Sequence, residues 1–402
     1  MTQLPPASDT PRYVQYLRVF ALGFCAFIFN TSEFVPVGLL SDISADFGIM
    51  PSQTGWMLTI YAWIVGLMSL PMMLITSKME RKRLLLGTCT VFVLSHGFSA
   101  IAWDFESLLI SRIGVAFSHA VFWSITASIA IRVAPPGKMN FALSVLATGT
   151  GMAMVLGVPL GRLIGQALGW RMTFEAIGIA AFITTVAVFR LLPPLPSMTT
   201  TGLGAKVKSV FTNKVLFTIY FAIFLVFTAH YASYSYIEPF LKTFDNVSDS
   251  LTTGLLLTFG LAGILGSTTF GYFGEKYGNQ LMLGSACGMA ICMLLLSFAA
   301  NINWLLIGVT VIWGASLILT TLSMQAKVLG IDQSASDIIM SLYSGIINVG
   351  IGAGALLGSV VIEQAGIAYT TYAGAVVACL SLLVIYYITK LGLKQVAVSG
   401  GH

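Results

Sequence analysis

The residues that could do chemistry in this sequence stand where a membrane protein least tolerates them. In "FIFNTSEFVPVG" (Phe27 to Gly38) an asparagine and a carboxylate, Asn30 and Glu33, lie three apart within an apolar run. An ionised carboxylate at mid-bilayer costs about 3 kcal/mol or more. Other apolar runs repeat the pattern. Arg112 and His119 are seven apart, with Trp123 a turn further on, and His230, Tyr234 and Glu238 follow at steps of four. On a helix each set shares one face. A polar stripe cannot face lipid, so these three stripes must line a common interior. Buried carboxyls favour the neutral form and a neighbouring cation favours the ionised one. A carboxyl that changes between the two as the protein changes state can carry a proton. Glu33 is the first candidate for that role, ahead of Glu238, with Arg112 as the charged neighbour. Asn, His and aromatic side chains suit a hydroxylated ligand: the first two bond hydroxyls and rings stack on apolar sugar faces. Asn30, His119, Trp123, His230, Tyr234 and mid-span Asn348 are therefore the substrate-contact candidates.

Each has a plainer alternative. Arg112 either takes part in coupling or anchors a helix. His119 is either a ligand contact or a hydrogen-bonded core residue. Glu238 precedes Pro239 near a span end, where a hydrated or structural role is open. Arg162 reads equally as a packing anchor or a cavity charge. Tyr231, Tyr234 and Tyr236 could form an interfacial belt, with Tyr234 the one that shares the His230 face.

The elements that carry these residues are set by composition. The chain has 402 residues, 57% hydrophobic and 9% charged, with a mean hydropathy of +0.90. No soluble domain hides so much apolar side chain. Long continuous apolar runs argue for helices rather than barrel strands. Twelve spans are predicted, at roughly 17–40, 55–76, 84–103, 108–131, 142–167, 173–192, 216–241, 252–273, 281–300, 304–325, 337–362 and 370–390. The expectation is an all-α membrane protein of two six-helix bundles, 17–192 and 215–391. A tail (1–16), a Pro-, Thr- and Lys-rich linker (193–214) and a second tail (392–402) complete it. The polar segment before the first span has no small-residue cleavage site after it, and reads as a tail rather than a cleavable signal.

Of the twenty lysines and arginines, Arg171 and Lys242 fall in loops of one parity, and Arg112 and Arg162 lie inside spans. The rest occupy the alternate loops, the linker and the termini. The positive-inside rule makes both termini and the linker cytoplasmic. The net charge of +5 is then a topology signal and requires no nucleic-acid partner. The five cysteines fall in apolar runs without ligand or CxxC spacing, and read as small hydrophobes; no metal site is expected.

The halves repeat. "SKMERKR" (Ser77 to Arg83) follows the second span and "GYFGEKYG" (Gly271 to Gly278) the eighth. Glu80 set on Gly278 gives an offset of 198. Gly157 and Gly161 of the fifth span set on Gly354 and Gly358 of the eleventh give 197. Two features with nearly one offset point to duplicated halves.

These features resemble the major facilitator superfamily over the whole chain, and in particular its drug:proton antiporter branch. The loop motif of that family, G-x-x-x-D-x-x-G-R-R/K, is degenerate here. Arg81 and Lys82 remain in the first copy, where Ser77 replaces the Asp and Glu80 the second Gly. Gly271, Glu275 and Gly278 remain in the second copy, where Asn279 and Gln280 replace the basic pair. Leu108 and Arg112 match the fourth-helix motif. "GVPLG", with Gly157, Pro159 and Gly161, approximates the antiporter motif, and "GWRMTF" (Gly169 to Phe174) opens the sixth helix as in relatives. "FIFNTSEFVPVGLLSDI", "SRIGVAFSHAVFWSITAS" and "AHYASYSYIEPF" look like bacterial sugar efflux transporters of this branch, which export arabinose-like sugars and isopropyl thiogalactoside. The resemblance implies the major facilitator fold in the bacterial inner membrane. It implies a monomer that exports sugar in exchange for protons, with the proton gradient as energy source and no cofactor. A multidrug/proton antiporter is the alternative, and uptake by symport a third reading. No phosphate-binding loop, HExxH or Ser/His/Asp set points to an enzyme, so no catalytic residue is assigned.

The orientation can be tested in cells. A cysteine placed near Gly204, in a background lacking the native five, should resist impermeant thiol reagents added from outside. Ready labelling would overturn the positive-inside assignment.

Overall fold

A computed structural model describes residues 11–197, 212–331 and 336–390, the side chains of residues 140, 336 and 337 apart. Most of the expected linker, the first ten residues of the N-terminal tail and the whole C-terminal tail lie outside the described residues. Among those described, the chain is helical with no strand. Eleven helices are long and apolar enough to cross a membrane. One of them, Asp249–Ala299, has 51 residues. At 1.5 Å per residue it would be about 76 Å long, over twice the hydrocarbon thickness. It breaks at Tyr277, whose φ of −120° and ψ of 20° leave the helical region. It therefore supplies two spans, and the total is twelve.

In chain order these are α1 (Arg12–Gly38), α2 (Trp56–Ile75), α3 (Arg81–Ala100), α4 (Phe105–Val133) and α5. The last comprises Met139–Met152, a π-helical turn Ala153–Gly157, and Val158–Leu168. Then follow α6 (Trp170–Leu191), α7 (Lys214–Tyr234), α8 (249–276), α9 (278–299), α10 (Asn303–Ile331), α11 (Ser336–Ala365) and α12 (Thr370–Lys390). The π turn has a local cause. Pro159 has no N–H to give the carbonyl of Val155, and a widened turn absorbs the mismatch without ending the helix. Pro36 sits in the last turn of α1, after which the chain turns at Leu39 and runs on as a short helix, Leu40–Phe47.

The duplication read in the sequence is visible in packing. A Cβ on Gly157 would stand 2.5 Å from the Thr31 hydroxyl of α1. A Cβ on Gly354 would stand 2.5 Å from the Thr228 carbonyl of α7. Likewise Gly161 faces Val35, and Gly358 faces Ala232. In both cases the partners are 197 residues apart, as are the glycines. So α5 lies on α1 as α11 lies on α7, each through a stripe of glycines four apart that lets the backbones approach. Large apolar side chains such as Leu94, Phe182, Ile183 and Leu383 cover the outside, where lipid is their solvent.

This close packing is testable. Gly161→Ala would push a methyl into Val35 and should destabilise by about 1–3 kcal/mol, seen as a lower melting temperature of the purified protein. Val35→Ala in the same chain should recover most of it. Gly87→Ala, inside α3 with nothing within 4 Å, should not destabilise and should gain up to about 1 kcal/mol of helix propensity. Equal melting for all three variants would show that the stripe does not set the approach.

Candidate functional site

Helix α1 brings Glu33 to the contact between the halves. Its carboxylate lies 3.5 Å from His119 Nε2 of α4. His119 Nδ1 in turn shares a 2.8 Å hydrogen bond with the Tyr61 hydroxyl of α2. The neighbouring Ser32 organises the other side. Arg112 of α4 donates to the Ser32 hydroxyl (3.2 Å) and carbonyl (2.9 Å), and the same hydroxyl meets His96 Nε2 of α3 at 2.8 Å. The guanidinium also lies over the Tyr61 ring, 4.6 Å from its centre. Glu33, Arg112, His96 and His119 are all buried. Four helices thus surround a carboxylate with a guanidinium and two imidazoles, away from lipid.

Beside Glu33 is a hollow of about 10 Å³, room for about one water. Phe34, Leu58, Tyr61 and, from the other half, Tyr231 and Ile351 line it. Phe34 and Tyr231 also line a second, far larger space of about 780 Å³ between the halves. These two rings are the wall between the carboxylate and the cavity.

The large cavity runs between α5 and α8. Thr148, Thr150, Gln325 and His230 supply polar groups, and Met152, Met154, Ile264, Ile318 and Leu322 an apolar lining. His230 is buried in an aromatic box. Tyr234 and Phe259 stack on it at 4.8 and 5.5 Å between ring centres, and Tyr231 and Trp313 stand edge-on at 4.8 and 5.2 Å. Its Nδ1 has no hydrogen-bond partner. An unpaired buried polar atom is uncommon and calls for an explanation, and His230 is among the residues that line the cavity. His230 is also the counterpart of Glu33 across the duplication, 197 residues on. One half places a carboxylate at this depth and the other an imidazole.

On the face away from the described chain ends, the halves are tied by charge. Glu238, in the short helix Ile237–Leu241 after α7, is fully buried. It pairs with Arg162 of α5 at 2.9 Å and Lys242 at 2.8 Å, and accepts from the Ser41 N–H at 3.0 Å. Arg162 also reaches Asp249 of α8 at 2.7 Å, the Gly38 carbonyl at 2.8 Å and the Thr253 hydroxyl at 3.2 Å. Arg162, Gly38 and Ser41 belong to the first half; Glu238, Lys242, Asp249 and Thr253 belong to the second. The Ser359 hydroxyl of α11 adds a bond to the Ser52 carbonyl at 3.0 Å. This face is closed, and Glu238 is a fully buried member of the closure.

The other sequence candidates sit as follows. Asn30 donates to the Ala26 carbonyl (3.0 Å) and to Thr150 (3.3 Å), tying α1 to α5 behind the cavity wall. Trp123 is half-buried against His119 and Phe122. Asn348 donates to Ser344 on its own helix, and its carbonyl oxygen is unpaired. Neither Asn348 nor Trp123 lines the large cavity. In the loop motif, Arg81 binds the carbonyls that end α2, Thr76 and Ser77, and Lys82 the Leu192 carbonyl at 2.5 Å. Glu80, in place of a motif glycine, caps α3 by accepting from the Lys82 and Arg83 N–H groups. Partial burial alone would raise its pKa, but these bonds and one from Leu195 N–H outweigh it and hold the carboxyl below its usual range. In the second copy, Gly271 and Glu275 are exposed and Gly278 is buried just past the Tyr277 break. Tyr61, His96, Phe259 and Trp313 were not singled out from sequence. Trp313 lies 83 residues from His230, with no local pattern to join them.

Two six-helix halves that close on one face, with a cavity between them, are the architecture of a membrane transporter. Residues 22–331 match the Major Facilitator Superfamily, and the chain belongs to it. Among solved structures, it is similar to a bacterial homologue of the human lysosomal transporter Spinster, in inward-facing and unoccupied conformation. That pair shares 15% identity with a TM-score of 0.73, over 97% of this chain and all of that one. The occupied inward-facing form of the homologue gives 15% identity and 0.72, over 98% and 100%.

If the ionic tie holds this face shut, its parts have unequal weight. Arg162→Met would leave buried Glu238 with one cation fewer and should cost about 3–5 kcal/mol. It should also raise the reactivity of a cysteine introduced at Thr253. Asp249→Asn should do much less, because that side chain is 62% exposed. Equal effects on melting and labelling would argue against a buried tie.

Proposed function

We propose that this transporter exports sugars across the bacterial inner membrane in exchange for protons, as a monomer, with both termini in the cytoplasm. The observation that carries the reading is the shared wall. A buried carboxylate, Glu33, with room for one water, stands behind Phe34 and Tyr231, which also line a cavity carrying an unpaired imidazole. Movement of those two rings would let ligand binding on one side alter the solvation of the carboxylate on the other. A carboxylate that gains a proton facing the periplasm and loses it facing the cytoplasm drives exchange, with no cofactor required. Arg112, fixed by Ser32, supplies a permanent positive charge at this centre. In the cavity, His230 and Tyr234 are the groups for substrate hydroxyls, and the Tyr234 and Phe259 rings the surfaces for apolar sugar faces. The closed face, with Arg162 and Glu238, would then be periplasmic, and the cavity would be open toward the cytoplasm. Asn30, His119, Trp123 and Asn348 support this centre through helix packing and hydrogen bonds.

One observation favours the multidrug reading. The surface of the cavity is mostly apolar, from Met, Ile, Leu, Val and aromatic side chains, and its volume of about 780 Å³ exceeds what a monosaccharide fills. Counterflow of labelled arabinose and of lipophilic cations in proteoliposomes separates the two.

The coupling assignment has its own test. Glu33→Gln keeps the shape of the protonated side chain. It should retain sugar-for-sugar counterflow within about threefold, but lose uphill export driven by a pH gradient. Wild-type uphill export by this variant would remove Glu33 from the role of carrier.

A further inference from the structure

The contact between Glu33 and His119 continues into a row of polar groups that ends on a phenol. His119 Nε2 stands 3.5 Å from the Glu33 carboxylate, a loose contact, and His119 Nδ1 is 2.8 Å from the Tyr61 hydroxyl. All three side chains are buried, and they come from α1, α4 and α2. Glu33 and Tyr61 both line the water-sized hollow, so the row begins and ends on the same hollow. Neither His119 nor Tyr61 lines the large cavity. Among the described residues, the other ionisable groups facing the row are Arg112 on the helix of His119, His96 on α3 behind Ser32, and Tyr231 of the second half. Arg112 gives two bonds to Ser32 and lies over the Tyr61 ring, so its charge is held in place.

The proton positions in this row are linked. A neutral imidazole carries a proton on one nitrogen and accepts on the other. Facing an ionised Glu33, Nε2–H donates, and Nδ1 then accepts from the Tyr61 O–H. Facing a protonated Glu33, Nε2 accepts from the carboxyl, and Nδ1–H then donates to the Tyr61 oxygen. A phenol hydroxyl can donate or accept, so Tyr61 satisfies both arrangements. A doubly protonated ring would add a second positive charge to a buried site that already holds Arg112, whereas exchange of tautomers adds none.

We propose that Tyr61 and His119 form a tautomeric proton relay to Glu33. A proton from a water entering the hollow binds the Tyr61 oxygen, the phenol passes its own proton to Nδ1, and Nε2–H passes its proton to the carboxylate, in one concerted step. One proton enters and one carboxylate is neutralised; the phenol and the imidazole end neutral. The Tyr61 O–H is then turned into the hollow, whose wall includes Tyr231 of the second half. This rests on the reading of Glu33 as the proton carrier, and gives His119 and Tyr61 a task in moving the proton rather than in contacting substrate.

The test reads the imidazole directly. The full chain, with isotope-labelled histidine rings and glutamate carboxyls, is reconstituted in lipid and followed by NMR over the pH range in which it stays folded. His119→Gln and Glu33→Gln assign the two signals. The wild type should hold the Nε2–H tautomer at alkaline pH and the Nδ1–H tautomer at acid pH, with one midpoint shared by ring and carboxyl. Tyr61→Phe keeps a ring under Arg112 and deletes only the hydroxyl. Its His119 should stay in the Nε2–H tautomer throughout. Export by this variant driven by a pH gradient should fall about tenfold or more, while sugar-for-sugar counterflow stays within about threefold. A wild-type His119 that keeps one tautomer or becomes doubly protonated would overturn the relay. So would a Tyr61→Phe variant that changes tautomer or exports as the wild type does. The NMR measurement requires no transport, so a switching His119 in a protein that exports no sugar would overturn the export reading and leave the relay standing.

Discussion

Hydrocarbon does not solvate charge, and the arrangement of this molecule follows from that constraint. The charged groups at the contact between the halves are held by other protein groups. Arg112 is placed by Ser32 and Tyr61, Glu33 is flanked by His119, and Arg162 and Glu238 solvate each other with help from Lys242 and Asp249. Because such groups are tolerable only away from lipid, they collect along the contact between the two halves. That contact is also the surface that must open and close for a transporter to work. The energetic cost of buried charge therefore concentrates where a change of state can use it.

The same constraint separates the tasks of the two charged clusters. Glu238 and Arg162 are locked in direct ion pairs that span the halves, so their best role is to hold one face shut. Glu33 makes a single longer contact to an imidazole and has a water-sized hollow beside it. A carboxylate with a loose partner and access to one water is better placed to exchange a proton than one gripped by two cations. The two acids differ less in burial than in the strength and direction of their partnerships.

Close helix approach is what permits these contacts. Gly157 and Gly161 let α5 lie against α1, and that in turn brings Arg162, one residue on, within reach of the Gly38 carbonyl and of α8. The π turn that accommodates Pro159, Ala153–Gly157, precedes the helical segment Val158–Leu168 that carries Arg162. In the second half the matching residue is Ser359, which closes its seam by one neutral bond. Duplicated halves have thus kept the geometry of the contact while changing its chemistry, as they have at Glu33 and His230.

Much of this was legible from sequence because it depends on local pattern. Apolar run lengths set the spans, glycines at four-residue spacing marked a face on α5 and on α11, and a common offset exposed the duplication; that α1 and α7 lie on those faces came from the fold. Polar residues in apolar runs identified Glu33, Arg112, His119 and His230 as buried, since lipid excludes them. Tertiary structure decided which of those groups meet. Arg162 and Asp249 are 87 residues apart and in different halves, and Asp249 reads in sequence as an ordinary first-turn acid. Glu238 read as a coupling candidate near a span end with a hydrated or structural role open, and the fold buries it completely in ion pairs with Arg162 and Lys242. Trp313 and Phe259 joined His230 only through the packing of α7, α8 and α10. The duplication sets Gly66 and Gly345 against Gly263 and Thr148, yet a Cβ on Gly66 would lie 2.7 Å from the Gly345 carbonyl, whereas Gly263 and Thr148 both line the cavity. The placement of whole helices, which no local pattern encodes, decides that difference.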